Sequence, residues 1–290
     1  MSSLLPFDYF EPTSVKEAAG LLTKHVGKAK VLAGGIDLIP SMRRGRILAE
    51  YLVNIQNIPG LAAIEVSGDG AVSFGAMTRL RDLEVSQIVQ KTYPALYQAI
   101  HQISSVQTKF MGTAVGNICV ATPASDVATA LFALGAELVV AGEDGERKES
   151  METFCVDYCS NCLGAGEIVT RVILPKPPAG SGTAFMNLIR THGDIAKVSV
   201  AVAVTLADGI CRDVKIAVGS AAPTVFRAKQ AETVFMDAKV SPDAIESAAE
   251  AAAGETQPIT DQRSTADYRK EMTRVLVKRA LEKAVNRSKA

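Results

Sequence analysis

The 290-residue chain has no tryptophan, only three histidines and no surplus of charge of either sign. Each scarcity excludes a class of function. None of His25, His101 and His192 stands in an H-x-x-x-H or H-E-x-x-H pair, so a zinc hydrolase has no support. With 31 basic and 31 acidic residues, nothing is left over to contact the phosphates of a nucleic acid, and that partner class is disfavoured. Apolar stretches such as residues 198–207 fall well short of the ~20 residues a bilayer span requires, so no membrane span is expected. The opening MSSLLPFDYF lacks the cationic start, apolar stretch and cleavage site of a secretion signal. A soluble, cytoplasmic protein is the expectation. The five cysteines, an odd number, do not read as a secreted disulfide framework.

What is present is ordinary globular material, 48% apolar and 21% charged, in a chain long enough for two cores. Ser14-x-x-Glu17 is a capping-box pattern ahead of apolar residues at helical spacing, which stop at Gly27. Lys30, Val31 and Leu32 form a short buried-strand candidate, and residues 51–55 and 71–76 are further strand candidates. Thr78 is placed to cap a helix carrying Leu80, Leu83 and Ile88. A helix is expected over residues 93–104, an irregular stretch over 112–123, and a second helix from Asp126 to Gly135. Strands are expected over 138–141 and 168–174.

Three prolines and two glycines in residues 175–182 form the strongest break in the chain. It sets the expected domain boundary: a first domain over 1–176, with subdomains of about 1–55 and 56–176, and a second over 177–290. In the second, residues 197–206 and 210–218 alternate as strands around Ala207-Asp208-Gly209, a hairpin signal. An alanine-rich helix follows over 245–253 and a basic amphipathic one over 265–286. The expected class is α+β, with the smaller C-terminal domain built on an antiparallel sheet.

Two glycine-rich loops are the candidate ligand sites. Leu32-Ala-Gly-Gly-Ile-Asp-Leu38 places two glycines directly after a strand. Lacking side chains, they let backbone N–H groups come close to a diphosphate. The spacing is neither G-x-G-x-x-G nor a P-loop, and no clear helix N-cap follows; a tight turn accounts for the glycines equally well. The second loop runs from Gly112 through Thr113, Gly116 and Asn117 to Asp126. Its small and neutral polar residues suit a crowded ligand with phosphates and ribose hydroxyls, and Asp126 is equally a helix cap.

Taken together, these loops resemble those of the FAD-binding medium subunit of the molybdenum hydroxylases, the group of xanthine dehydrogenase, carbon monoxide dehydrogenase and 4-hydroxybenzoyl-CoA reductase. That family shows A-G-G-[TS]-[DQ]-L where this chain has Ala33-Gly-Gly-Ile-Asp-Leu38. It shows Q-x-R-N-x-G-T-x-G-G-N-[IL]-x-x-A-x-P-x-[AS]-D where this chain runs from Gln107 to Asp126. Shorter matches extend to Arg263-Ser-Thr-Ala-Asp-Tyr-Arg269. Four departures stand out: Ile36 for Thr or Ser, Val115 for the first glycine of G-G-N, Lys109-Phe110 for Arg-Asn, and Met186 for a lysine present in some members.

The resemblance implies a vanillyl-alcohol-oxidase-like FAD-binding domain of two subdomains, followed by the smaller domain. It implies FAD held by Leu32, Ala33, Gly34, Gly35, Ile36, Asp37, Leu38 and Ile39, and by Thr113, Ala114, Val115, Gly116 and Asn117. Ile103 and Ser104 are implied near the flavin, Asp126 at the adenosine ribose end, and Leu163 in a Leu-x-x-Gly-Glu turn. No residue of the chain is implied as catalytic. The implied function is electron transfer between iron–sulfur clusters of a partner and an external acceptor. The implied partners are a large molybdopterin subunit and a small [2Fe–2S] subunit, assembled as a dimer of heterotrimers. A free-standing flavin oxidoreductase of the same fold and a flavin-free scaffold subunit are the alternatives.

Cys155-x-x-x-Cys159-x-x-Cys162 has two readings. One is three ligands of a [4Fe–4S] cluster with Cys119 as the fourth. The other is free thiols in a reducing compartment. His101 reads as a partly exposed helix residue, His192 as a surface loop residue, and the basic helix as a solvated face or subunit contact.

Overall fold

The structure, a computed structural model, describes residues 4–103 and 105–289. It begins with β1 (Asp8–Phe10), α1 (Val15–Lys24), β2 (Ala29–Leu32), α2 (Leu38–Arg43) and β3 (Tyr51–Asn54). The strands pair in parallel in the order β1-β3-β2. Ser14 caps α1 as its spacing predicts, accepting from the Glu17 N–H at 3.2 Å. The Glu17 carboxylate reaches back to the Thr13 N–H rather than to that of Ser14, so the capping box is offset by one residue.

The second unit contains β4 (Ile64–Val66), β5 (Val72–Gly75) and five short helices: α3 (Leu80–Val85), α4 (Gln87–Thr92), α5 (Pro94–Gln102), α6 (Val106–Met111) and α7 (Ala114–Cys119). Then come α8 (Asp126–Leu134), β6 (Glu137–Gly142), β7 (Gly145–Ser150), α9 (Met151–Phe154), the small hairpin β8 (Cys155–Asp157) and β9 (Ser160–Asn161), and β10 (Ile168–Leu174). The larger sheet has the order β4-β5-β10-β6-β7 and is antiparallel. Two expectations are corrected here. The helix begun after Thr78 is broken by Ser86 in extended conformation, with Arg79 rather than Thr78 at its N-cap. The stretch over 112–123 is not irregular, because Thr113 caps α7 by accepting from the Gly116 N–H at 3.0 Å.

The last unit is β11 (Ser181–Leu188), β12 (Val198–Ala207), β13 (Ile210–Gly219), β14 (Phe226–Arg227), α10 (Lys229–Phe235), α11 (Pro242–Gly254) and α12 (Ala266–Ser288). Its strands pair antiparallel in that order. Asp208 and Gly209, at φ 53° and 75°, make the hairpin turn in the left-handed region that a type I′ turn needs. Ser181 and Gly182 lie in β11 and not in the proline-rich break, which ends sooner than composition implies. On the described residues no helix is long and apolar enough to cross a membrane.

Strand alternation divides this sheet between two cores. Phe185, Ala201 and Ala217 face the core of the preceding units. Val198, Val200, Val202, Val204, Ile216 and Val218 lie in a second core with residues of α10, α11 and α12, α12 and α10 packing on the sheet and α11 on those two helices. The alanines leave room for α8, whose residues from Val127 to Leu134 are all buried. At ~1.5–3 kcal/mol for each large apolar side chain removed from water, α8 is a main source of cohesion. It packs on α5 and α7 on one side and on β12 and β13 on the other.

Candidate functional site

The Gly34-Gly35 turn and the Met111–Gly112 turn press against each other. A Cβ added at Gly34 would lie 2.1 Å from the Met111 carbonyl oxygen and 2.9 Å from the Gly112 Cα. Only glycine permits that approach. Gly35 takes φ 70° and its carbonyl accepts from the Ile39 N–H at 3.1 Å. A short helix therefore follows the glycines, which the sequence did not signal, since Asp37 at its N-cap makes no side-chain cap bond. The Ala33 carbonyl accepts from Gln56 Nε2 at 2.8 Å.

Residues 32–39 divide by role. Leu32, Leu38 and Ile39 pack with Met42, Ala49 and Leu52 under the small sheet, so these three offer a ligand chiefly their backbone. Ile36 and Asp37 are exposed.

The second turn is held from behind by the chain entering α3. The Leu80 N–H donates to the Gly112 carbonyl at 2.9 Å, the Ala114 N–H to the Thr78 carbonyl at 3.3 Å, and Arg79 bridges Thr113. Thr113, Ala114 and Val115 are buried. Val115, in place of a glycine, points into the core and does not obstruct the turn. Gly116 and Asn117 are partly open. Asn117 Oδ1 accepts from Ser125 Oγ at 2.5 Å, and the same Oγ caps α8 by accepting from the Ala128 N–H at 2.9 Å.

Asp126 is thus not the cap of α8. Its Oδ2 accepts from Asn187 Nδ2 at 2.9 Å, while Oδ1 is buried with no partner. Burial, only partly opposed by the Asn187 bond and by the polar Ser199 hydroxyl, pushes its carboxyl up to about 7.

Ile103 closes α5 in extended conformation and packs partly buried on the core. Ser104 lies outside the described residues. Leu163 also packs on that core, beside a turn in which the Gly164 N–H donates to Glu167 Oε2 at 2.7 Å. Arg147 holds that Glu167 with Nε and Nη2 at 2.7 and 2.9 Å.

A buried charge cluster with no signature in residue spacing braces α6. Lys109 Nζ lies 2.6 Å from Glu84 Oε1, and both side chains are almost fully buried. Arg81 and His101 also reach Glu84, at 2.8 and 2.9 Å. Burial works to raise the Glu84 carboxyl, but the bonds from Lys109, Arg81 and His101 outweigh it and hold it below the usual range. Residues 84 and 109 lie on different helices, and no spacing rule links them. His101 is otherwise an exposed helix residue stacked on Tyr97, in keeping with the sequence reading.

The four-cysteine ligand set does not assemble. Cys119, Cys155 and Cys162 lie near one another, so that Cys155 and Cys162 add to the raised pKa of Cys119, and Cys162 to that of Cys155. Burial is the larger effect and pushes Cys119 up to about 12 and Cys155 up to about 11. Cys159 sits exposed at the hairpin tip with φ 53°. Among the described residues no group of three or more His, Cys, Asp or Glu is placed to hold a metal ion.

A small parallel sheet and a larger antiparallel one, meeting at two interlocked glycine turns with a third sheet behind, define an α+β cofactor-binding protein. The chain belongs to the FAD-binding domain family of molybdopterin dehydrogenases, whose model matches residues 5–177; the carbon monoxide dehydrogenase flavoprotein C-terminal domain matches 183–284. It is 34% identical over 284 residues to the 6-hydroxypseudooxynicotine dehydrogenase complex subunit alpha of Paenarthrobacter nicotinovorans, covering 98% of this chain and 96% of that one. It is 32% identical over 283 residues to the carbon monoxide dehydrogenase medium chain of Afipia carboxidovorans, covering 98% of each. Among solved structures, carbon monoxide dehydrogenase from Hydrogenophaga pseudoflava superposes with a TM-score of 0.95 at 34% identity, over 98% of this chain and 99% of that one. The family and the fold class read from the sequence are both borne out.

Proposed function

We propose that the chain is the FAD-binding electron-transfer subunit of a molybdenum-containing dehydrogenase, an oxidoreductase working with a large molybdopterin subunit and a small [2Fe–2S] subunit. The observation that carries this reading is the interlock of Gly34 with Met111 and Gly112. Two backbone turns without side chains at their meeting point suit a diphosphate approached by N–H groups from both sides. The partnerless Oδ1 of Asp126 adds an acceptor for a ribose hydroxyl. Exposed Ile36, Phe110 and Met111 add apolar surface for a flat ring beside the turns.

In this reading the diphosphate is held by the backbone of Leu32, Ala33, Gly34, Gly35, Ile36, Asp37, Leu38 and Ile39 and by Thr113, Ala114, Val115, Gly116 and Asn117. Ile103, Ser104 and Leu163 border the flavin, and Asp126 takes the adenosine end. The bound flavin supplies the redox chemistry; the chain binds, orients and shields it, and no residue of the chain acts as acid or base. Residues 1–176 form the flavin domain and 177–290 the smaller one, in a cytoplasmic dimer of heterotrimers. No iron–sulfur cluster is assigned to this chain.

The test is to purify the chain with its native neighbours, record the visible spectrum and identify the co-eluting subunits. A yellow complex of three different chains supports the reading. A colourless monomer without FAD affinity overturns it.

A further inference from the structure

A cavity of about 410 Å³ opens where α4 and α5 meet β11 and the end of α12, and no residue assigned to FAD lines it. That volume lies within the ~300–1,000 Å³ of small-molecule sites and exceeds what a bare oxyanion needs. Its walls include Lys91 and Arg287 but no aspartate or glutamate.

Arg287 is oriented by neutral acceptors only. Its Nη1 donates to Gln98 Oε1 at 3.0 Å and to the Thr183 carbonyl at 2.6 Å. Gln98 Oε1 is itself fixed by the Phe185 N–H at 3.1 Å. The guanidinium is therefore aimed, and among the described residues no carboxylate pairs with its charge. Lys283, four residues earlier on α12, adds to the imbalance. Desolvation first, and the Arg287 charge second, lower its ammonium pKa. Lys283 does not line the cavity itself, but a partly desolvated Arg287 with a second cation beside it is more favourable when an anion is bound.

Thr92 and Ser181 also line the cavity with hydroxyls; that of Ser181 lies 3.0 Å from Thr205 Oγ1, and when Thr205 donates, the Ser181 proton is free for a ligand. α5 begins on the same wall with Pro94 at its first turn, adding the positive end of a helix dipole. Tyr97, Pro94 and Pro177 supply the apolar part of the lining.

We propose that this cavity binds a small organic phosphate, its phosphoryl group held by Arg287, Lys91 and the Thr92 and Ser181 hydroxyls and its organic part against Tyr97. A tetrahedral phosphoryl group presents more acceptor oxygens than a carboxylate, and the forked guanidinium together with a mobile ammonium matches it. The site is separate from the flavin site and does not depend on the assignment of FAD.

The experiment is calorimetric titration of the complete flavin-loaded complex with ribose 5-phosphate, inorganic phosphate and unphosphorylated ribose. Ribose 5-phosphate is expected to bind, inorganic phosphate more weakly, and ribose not at all. Lys91→Gln and Arg287→Gln are each expected to raise Kd about tenfold, the loss of one charge-assisted contact, with flavin content unchanged. Lys91 is exposed, so its variant decides the matter even if the Arg287 variant folds poorly; Arg287→Lys, which keeps the charge but loses the fork, should fall between. Absence of ribose 5-phosphate binding overturns the proposal. So does equal binding of ribose, or an affinity unmoved by Lys91→Gln.

Discussion

Replacing Gly34 by alanine strikes the meeting point of the two turns. The added Cβ would stand 2.1 Å from the Met111 carbonyl oxygen, and the Gly112 Cα lies behind it at 2.9 Å. Both obstacles are backbone, so no side chain can swing aside. Ordinary carbon–oxygen contacts begin near 3.3 Å, so the turns must part by about 1 Å. Overpacking of this kind costs ~1–3 kcal/mol of stability, and a 1 Å error in a positioning element is worth about 100-fold. The expected result is a folded chain whose FAD Kd rises about 100-fold, read by flavin fluorescence quenching on the apo-protein. Gly45→Ala is the matched control. Gly45 has φ 67° with nothing within 4 Å of an added Cβ, so the substitution strains the backbone by ~1–2 kcal/mol without touching either turn. It should lower the melting temperature by a similar amount and keep FAD. A Gly34→Ala protein with wild-type flavin affinity, or a Gly45→Ala protein that loses flavin equally, would refute the reasoning.

Lys109→Met leaves the buried Glu84 with Arg81 and His101 only and should cost ~3 kcal/mol in urea unfolding, most of it restored by Lys109→Arg. Because the folded pKa of Glu84 is depressed, this contribution is complete above the usual carboxylate range and is lost as pH falls through the folded value; an acid limb identical in wild type and Lys109→Met would count against the brace. Asp126 has the opposite sign, since its folded pKa is raised from 3.8 to about 7. Stability of the flavin-free chain should fall as pH rises through that window and level off above it, and Asp126→Asn should abolish the slope; a wild type that gains on the variant with rising pH contradicts this. Anaerobically purified chain should hold no stoichiometric iron or acid-labile sulfide, and joint replacement of Cys155, Cys159 and Cys162 by serine should leave its FAD content intact. Iron present in the wild type and absent from the serine variant would restore the cluster reading.

The parts of the fold that follow local rules were legible in the chain. Ser14, Gly135, the Asp208-Gly209 turn and Thr265 mark element ends at the positions observed. The alternation of β12 and β13 also reads directly, because one face must be apolar whatever it meets. The helices α6 and α7 were hidden for a physical reason. Each is six residues long, too short to show a period, and rich in residues that suit loops equally well. The glycine motifs marked the two turns but not their contact, which is a tertiary fact about Met111 and Gly34. The pairing of Glu84 with Lys109, and of Asp126 with Asn187, depends on the packing of different elements and leaves no trace in spacing.

The burial of α8 on all sides bears on how the molecule comes apart. The buried residues of α8 belong to the first core, which Phe185, Ala201 and Ala217 of the C-terminal sheet complete, so that sheet cannot melt without uncovering the helix, and the hydrogen bond between Thr129 and Ser199 is lost in the same event. The chain is therefore expected to unfold in a single calorimetric transition although it matches two family models. Excising residues 183–284 would leave the apolar flank of α8 open to water, and the remaining fragment would be prone to aggregate. Cooperativity here is a property of one helix shared by two halves, and it ties the integrity of the glycine turns to a sheet that contributes nothing to them directly.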